Sequence, residues 1–429
     1  MRGGFALLIL LIASTGYADI VDDSDIAGAY GTVVDSIVVT GNRNTKGYVL
    51  LREMETRPGD VLDPEIMRRD LRFISDLSPF ATVTVRADSL APGHSALRIS
   101  VTERSNLFLK SILPFVKFDF EKGLTYGARW RDKNFRGRLE QLSLNYQRNE
   151  RDDERISLSW STPWIGWKHI SLGGRVAFFN RGDTPPEFTV HENLGISGFV
   201  ALPLTESRIR FSQVRFILSL DKSRLAGGGE PIVREVVLSP QFGYRFDGRD
   251  SPLRPETGAV VDFAVGASLP LDRDIDTFYH LRNESKLFLH VTQRSTIGLL
   301  SNVLYQFGHV PEFSLVKLGG AGSLRGHPDA RFSGFHRWFQ TIEWRYLYLP
   351  RKVFHIPLVK QFDVSLVFVT FVDGGIVWRH ASEFDEENFH GTAGVGIRFY
   401  SPLRDVVRLD FGSNTRGDAR FHFETGIRF

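Results

Sequence analysis

From Leu107 to Phe429 apolar and polar residues alternate along the chain, and a period of two suits strands rather than helices. The last nine residues show it best. Phe421, Phe423, Ile427 and Phe429 fall on one face, while His422, Glu424, Gly426 and Arg428 fall on the other. The same alternation sets Ile156, Leu158 and Trp160 against Ser157 and Ser159. It recurs at Leu142, Leu144 and Tyr146, at Val395, Ile397 and Phe399, and at Val407, Leu409 and Phe411.

A soluble sandwich also alternates, so the environment has to be decided by other features. The apolar set is rich in Phe, Trp and Tyr, as membrane girdles are, and the strands run to the last residue. The opposite face includes Arg398, Arg408, Asp410 and Arg428, which a dry sandwich core would accept only if paired. Composition agrees: 12% aromatic, with 35 Phe and 40 Gly, at a mean hydropathy of −0.14. No second apolar run reaches helical spanning length, so a membrane protein of this sequence has to be a barrel. Alternating segments start near 107, 122, 138, 154, 168, 187, 209, 232, 258, 276, 295, 335, 363, 389, 405 and 420. The expected fold is therefore mainly β: a sixteen-stranded antiparallel transmembrane barrel over 107–429. Its even count would place both barrel termini on one side of the membrane.

The N-terminus reads as a secretory signal peptide over 1–18: Arg2, an apolar run from Phe5 to Ala13, and small residues at Gly16 and Ala18. Export permits disulfides, but the chain has no cysteine, so packing and backbone hydrogen bonds must hold the fold. With 53 basic against 50 acidic residues the net charge is +3, too even for a nucleic-acid footprint.

Residues 19–33 read as a linker, and 34–104 as a small α/β domain. A strand from Asp35 to Thr40 ends in the turn Gly41-Asn42, and a short helix spans Thr45 to Met54, closed by Arg57-Pro58-Gly59-Asp60. From Pro64 to Asp76 the apolar positions Ile66, Met67, Leu71 and Ile74 recur at helical spacing behind Asp63 and Pro64, suitable N-cap and first-turn residues. Strands Ala81–Ala87 and Ala96–Thr102 follow, joined by a turn at Pro92-Gly93. This β-α-α-β-β order, with Gly41-Asn42 early and Glu103 closing, resembles a single POTRA domain.

Between strands ending near 308 and beginning near 335 lies a loop, about 309–334. It contains Val316-Lys317-Leu318-Gly319-Gly320-Ala321-Gly322-Ser323-Leu324-Arg325-Gly326-His327. Glycines let a loop fold back through a narrow lumen, and Arg325 could be pinned there by a wall carboxylate. Phe371-Val372-Asp373-Gly374-Gly375 falls on the thirteenth expected strand, and Tyr244 to Gly258, with Asp247, Arg249, Asp250 and Pro255, follows the eighth. With the terminal Phe429, these segments resemble the BamA/TamA superfamily of outer-membrane assembly and translocation barrels. The resemblance implies that the loop motif Leu324, Arg325, Gly326 and His327 enters the barrel and that Arg325 pairs with Asp373, flanked by Phe371 and Gly375. One departure is His327, where the family usually carries an aromatic residue, which puts a packing role at that position in question.

Pro114 cannot donate a ladder hydrogen bond, and a weak seam between the first strand and the one ending at Phe429 is the lateral gate the resemblance implies. Pro114 preceding the paired part of its strand is an equal alternative. No serine-hydrolase elbow, paired-histidine zinc motif or phosphate loop is present, so the expectation is no enzyme and no cofactor. The acidic loop from His380 to His390 reads as a solvated loop, and no metal is expected.

The expected function is insertion, assembly or translocation of other polypeptides at the bacterial outer membrane, with the POTRA-like domain in the periplasm. The partners implied are unfolded outer-membrane or secreted clients, membrane lipid and accessory lipoproteins, with no nucleic acid. The alternatives are a secretion pore for a single partner and, from a different class, a passive diffusion channel or structural barrel.

Overall fold

The computed structural model describes residues 21–429 apart from 23, 78, 105–109, 120–122, 167, 183–188, 206–210, 228–229, 252–253, 272–275, 357–359, 402–404 and 426–429. The proposed signal peptide and Phe429 therefore lie outside the described residues. A small α/β unit precedes one large antiparallel sheet, and no described helix is long and apolar enough to cross a membrane.

The small unit runs β1 (Val21–Asp22), β2 (Val33–Thr40), α1 (Gly47–Arg52), α2 (Pro64–Asp76), β3 (Phe80–Ala91) and β4 (His94–Glu103), in the sheet order β1-β3-β4-β2. Helix α2 starts where its caps dictate. The Asp63 carboxylate accepts from the N–H groups of Glu65 and Ile66, and Pro64 occupies the first turn. Its apolar face buries Met67, Leu71 and Ile74 against Val83, Val85, Leu97 and Ile99 of the sheet. Glu103 closes the unit by accepting from the N–H groups of Asn44 and Thr45 at 2.9 and 2.7 Å. Residues 19–33, expected to be a linker, are in part built into this unit. β1 pairs in parallel with β3, a 3-10 turn spans Ser24–Ala29, and Ile26 is fully buried in the core. A single buried isoleucine in a short segment leaves no periodicity to read.

The large sheet contains β5 (Lys110–Asp119), β6 (Gly123–Phe135), β7 (Glu140–Asn149), β8 (Glu154–Thr162), β9 (Ser171–Asn180), β10 (Thr189–Pro203), β11 (Phe211–Gly227) and β12 (Glu230–Asp247). It continues with β13 (Gly258–Pro270), β14 (Phe278–Thr292) and β15 (Ser295–Gly308). The loop that follows holds the small β16 (Val316–Leu318) and β17 (Phe332–Gly334), which pair with each other. Beyond it come β18 (His336–Ile356), β19 (Lys360–Trp378), β20 (His390–Ser401), β21 (Asp405–Asn414) and β22 (Ala419–Thr425). Every strand of this sheet pairs with its neighbour in the chain, except that β15 passes the loop and pairs with β18, and β5 and β22 stand at the two ends of the order.

Its two faces differ as the alternation requires. Ile156, Leu158, Leu218, Phe242, Trp344, Val395, Phe411 and Phe423 are exposed on one face. The other carries Asn302, Thr341, Glu343, Asp373, Arg398 and Asp410, all buried. Inverting the usual pattern, with apolar side chains outside and charges inside, is the arrangement expected of strands facing lipid.

The small unit docks on the turns of the sheet. Trp164 donates its indole N–H to Glu53 at 2.7 Å, and the guanidinium of Arg52, just before it, donates to the Arg138 carbonyl and lies over the Trp164 ring. Asn134 donates to the Thr45 hydroxyl, and the N–H of Lys46 donates to the Gly137 carbonyl. Gly137 has φ +70 and its backbone abuts Asn44, so a side chain there would strain both units.

Candidate functional site: a loop pinned by a buried arginine

The loop between β15 and β18 folds back over the polar face of β18–β21. Leu318 and Leu324 seat it, packing in a buried cluster with Phe288, Leu300 and Phe339. Gly326 then brings the loop backbone onto β21, where a Cβ would lie 2.6 Å from the Ser413 carbonyl carbon. Gly412 opposite it has the same constraint, 2.8 Å from the Arg325 carbonyl carbon. Only glycine on both sides allows two backbones to approach this closely.

This approach delivers Arg325, 0% exposed, to three carboxylates. Its Nε and second terminal nitrogen donate to the two oxygens of Asp373 at 2.9 and 2.8 Å, and its backbone N–H donates to Asp373 as well. The remaining guanidinium nitrogen donates to Glu343 at 2.7 Å and lies 3.6 Å from Asp410. The guanidinium carbon sits 3.3 Å from the centre of the Phe371 ring. Asp373 also accepts from the hydroxyls of Thr341 and Thr392, its partners across β18 and β20. Glu343 also binds Arg345 and Arg398, and Arg398 binds Asp410 at 2.7 Å. Three guanidinium groups thus meet three carboxylates, so each buried charge has an opposite partner, while the second oxygen of Asp410 has no hydrogen bond.

Of the residues singled out in the sequence, the structure brings together Leu324, Arg325, Gly326, His327, Phe371 and Asp373. Gly375 lies beside them on β19, where a Cβ would crowd Phe339. His327 fills the position in question with a ring: it is 7% exposed, edge-on to Phe332 at 5.0 Å and 5.7 Å from His390. Burial, with Arg416, Arg331 and Arg420 adding to it against Asp418, holds its pKa below the ordinary histidine value. The other named partners lie elsewhere. Pro114 is within β5, in register with Ala128, so it lies inside the paired segment rather than before it. Asp247 binds Arg245 and Arg249 at the end of β12, and Asp250 caps the following turn by accepting from Glu256 and Thr257.

The sequence reading missed Glu343 as a ligand of Arg325, and Thr341, Thr392 and Arg345 with it. The signal was present: Glu343 and Arg345 are charges between Ile342, Trp344 and Tyr346 in an alternating run. In the acidic loop Glu383 accepts from the N–H of Arg379 and Asp385 from that of Asn388, and no metal-like cluster occurs among the described residues.

Comparisons with known proteins bear on the family and the fold. Residues 134–429 match the Omp85 superfamily domain and residues 32–104 match a POTRA model, described as a surface antigen variable number repeat. The chain belongs to the Omp85 superfamily. It is 24% identical over 442 residues to the outer membrane protein assembly factor BamA of Nitratidesulfovibrio vulgaris, covering 92% of this chain and 51% of that protein. It thus spans about half the length of that relative. A BamA of Neisseria meningitidis is 23% identical, over 68% of this chain and 39% of that protein. Among solved structures, BamA from Haemophilus ducreyi lacking POTRA domains 1–3 superposes with a TM-score of 0.56 at 18% identity, over 92% of this chain and 83% of that one. CdiB from Escherichia coli superposes with a TM-score of 0.64 at 12% identity, over 94% of this chain and 77% of that one.

Proposed function

We propose that this protein inserts or assembles other polypeptides at the bacterial outer membrane, without cofactor or nucleotide. On this reading the large sheet closes into a sixteen-stranded barrel by pairing β5 with β22, and the POTRA unit lies in the periplasm. The observation that carries the proposal is the burial of Arg325 among Asp373, Glu343 and Asp410. A passive channel gains nothing from a charged loop locked to its wall, whereas a machine that must deform its own seam needs the rest of its sheet braced. The BamA-type relatives support the same reading.

The outer edge of β2 beyond Val34, whose start is engaged by Gly59, Asp60 and Val61, is where a client strand would add in the periplasm. The client would then pass to the seam between β5, weakened at Pro114, and β22. Accessory lipoproteins and bilayer lipid would be further partners. The test is reconstitution: the purified chain in liposomes should accelerate folding of an unfolded outer-membrane client, and no acceleration for any client would remove the reading.

A second reading, a secretion pore for one exported partner, is favoured by the likeness to CdiB. It requires the Arg325 loop to leave the polar face during transport. A disulfide engineered between the loop and β21 separates the two, because it would block a pore and leave an insertase working.

A further inference from the structure

Antiparallel pairing sends successive connections to alternate ends of the sheet, so the β19–β20 loop, residues 379–389, lies at the end away from the POTRA unit. On β19 the outward positions Val372, Gly374 and Ile376 alternate with the inward Phe371, Asp373 and Gly375. Val372 is 57% exposed, as an outward side chain should be, yet Ile376 is 2% exposed. The loop supplies the cover. Phe389 lies against Gly374, where a Cβ would come within 2.8 Å of its ring, and Phe384 meets Trp378 edge-on at 4.9 Å. Trp338, directly across from Ile376, is 6.4 Å from each of these two rings. The loop is thus folded down over the outer face of β18 and β19.

A second observation concerns what these rings join. From Trp378 the ring contacts continue to His336 at 5.2 Å and from His336 to Tyr305 at 4.1 Å. They run on from Tyr305 to Phe307 at 6.5 Å and from Phe307 to Tyr279 at 5.3 Å. Phe384 and Phe389 therefore extend an aromatic band at the far end of the sheet, and such bands sit at headgroup level in membrane barrels. Both rings are still about half exposed, and they adjoin the exposed apolar residues Ile342, Val372 and Val395. The carboxylates of the loop are placed differently. Glu383 accepts from the N–H of Arg379 and Asp385 from that of Asn388, while Glu386 and Glu387 are exposed. Rings against the wall and carboxylates at the tip give the loop one apolar and one wet side, the division found in segments that lie in a membrane interface. Because the apolar side is continuous with the outward face of the strands, lipid fits it better than a soluble partner does.

We propose that the β19–β20 loop is a membrane anchor, holding Phe384 and Phe389 among acyl chains at the headgroup boundary of the leaflet away from the POTRA unit, with Glu386 and Glu387 in water. The inference rests on the reading that the outward face of the sheet meets lipid, and adds a loop to the surface that does so. Glu343 and Asp373 stand on the inner face of β18 and β19, so the anchor and the arginine cluster fasten opposite faces of the same two strands.

The chain has no cysteine, so a single introduced cysteine carries a nitroxide without background. The full chain is reconstituted in dioleoylphosphatidylcholine liposomes as Phe384→Cys, Phe389→Cys, Glu387→Cys or Val395→Cys. Collision of each label with oxygen, which concentrates in lipid, is compared with collision with a water-soluble nickel chelate. Each of the two ring variants keeps the other ring to hold the loop on the wall. Labels at 384 and 389 should favour oxygen as the wall position 395 does, and the label at 387 should favour nickel. Oxygen preference at 395 with nickel preference at 384 and 389 sinks this inference alone, whereas nickel preference at 395 sinks the lipid-facing reading itself. Oxygen preference at 387 as well would show that the label draws itself into lipid. Protection of 384 and 389 from both reagents would mean that a second copy of the chain covers the patch, and either result overturns the proposal.

Discussion

Arg325 and Asp373 are joined three times, through the backbone N–H, Nε and a terminal nitrogen of the arginine, and neither side chain is exposed to solvent. Removing either partner leaves an uncompensated buried charge. Asp373→Ala or Arg325→Ala should each lower stability by about 3–5 kcal/mol, while a paired apolar replacement should cost much less. Thermal unfolding of the four proteins in detergent would decide this, and equal losses in the single and paired variants would count against it.

Gly326→Ala tests the close approach itself. The new methyl would meet the β21 backbone at Ser413 and Asn414, which cannot give way without breaking its ladder. The loop should lift, so a protease that spares the parent chain should cut between 316 and 331 in the variant. An uncut loop would show that the backbones have more room than the geometry allows.

His327 makes stability depend on pH with a definite sign. Its folded pKa is depressed, chiefly by burial, so the fold favours the neutral ring. The stabilisation is complete above the ordinary value of 6.5, is lost progressively as pH falls below it, and levels off under the folded pKa. His327→Phe keeps the ring against Phe332 and should flatten this part of the profile. Melting curves between pH 5 and 8 would show no difference between the two proteins if the imidazole were solvated.

Glu103 behaves in the acidic range. Burial opposes its ionisation, but hydrogen bonds from Thr45 and Asn44 outweigh this and leave its pKa below 4.5. Its contribution is therefore present above pH 4.5 and disappears as pH falls through the lower folded value. Glu103→Gln should loosen the turn after β2 by about 1 kcal/mol at neutral pH. Amide exchange at Asn44 and Thr45 should quicken in the variant, and unchanged exchange would mean the turn holds itself.

Trp164 and Glu53 fix the POTRA unit to the sheet, so Trp164→Ala should broaden the distance distribution between spin labels placed on α2 and on the β12–β13 turn. A distribution as narrow as the parent's would assign the docking to the remaining contacts, Arg52 with Arg138, Asn134 with Thr45 and Lys46 with Gly137.

Much of the large sheet was legible because alternation is local: each strand declares its own two faces, and the expected starts at 154, 258, 295 and 405 coincide with β8, β13, β15 and β21. Helix α2 was legible for the same reason, with its cap and its apolar stripe within a few turns. The arginine cluster was only half legible. Arg325 and Asp373 stand in glycine-rich segments that set them apart, whereas Glu343 and Asp410 look like any charge on a polar face, and their convergence depends on the pairing of β18 through β19 and β20 to β21. Ile26 was missed for a related reason, since nothing near it repeats.

The carboxylates around Arg325 come from β18, β19 and β21, and β21 is the penultimate strand of the chain. The guanidinium therefore cannot find its full set until nearly all of the polypeptide has been threaded into register. Loop seating should consequently be a late event in folding: a sheet assembled with a slipped or missing strand would leave the arginine without its carboxylates and its loop open to protease.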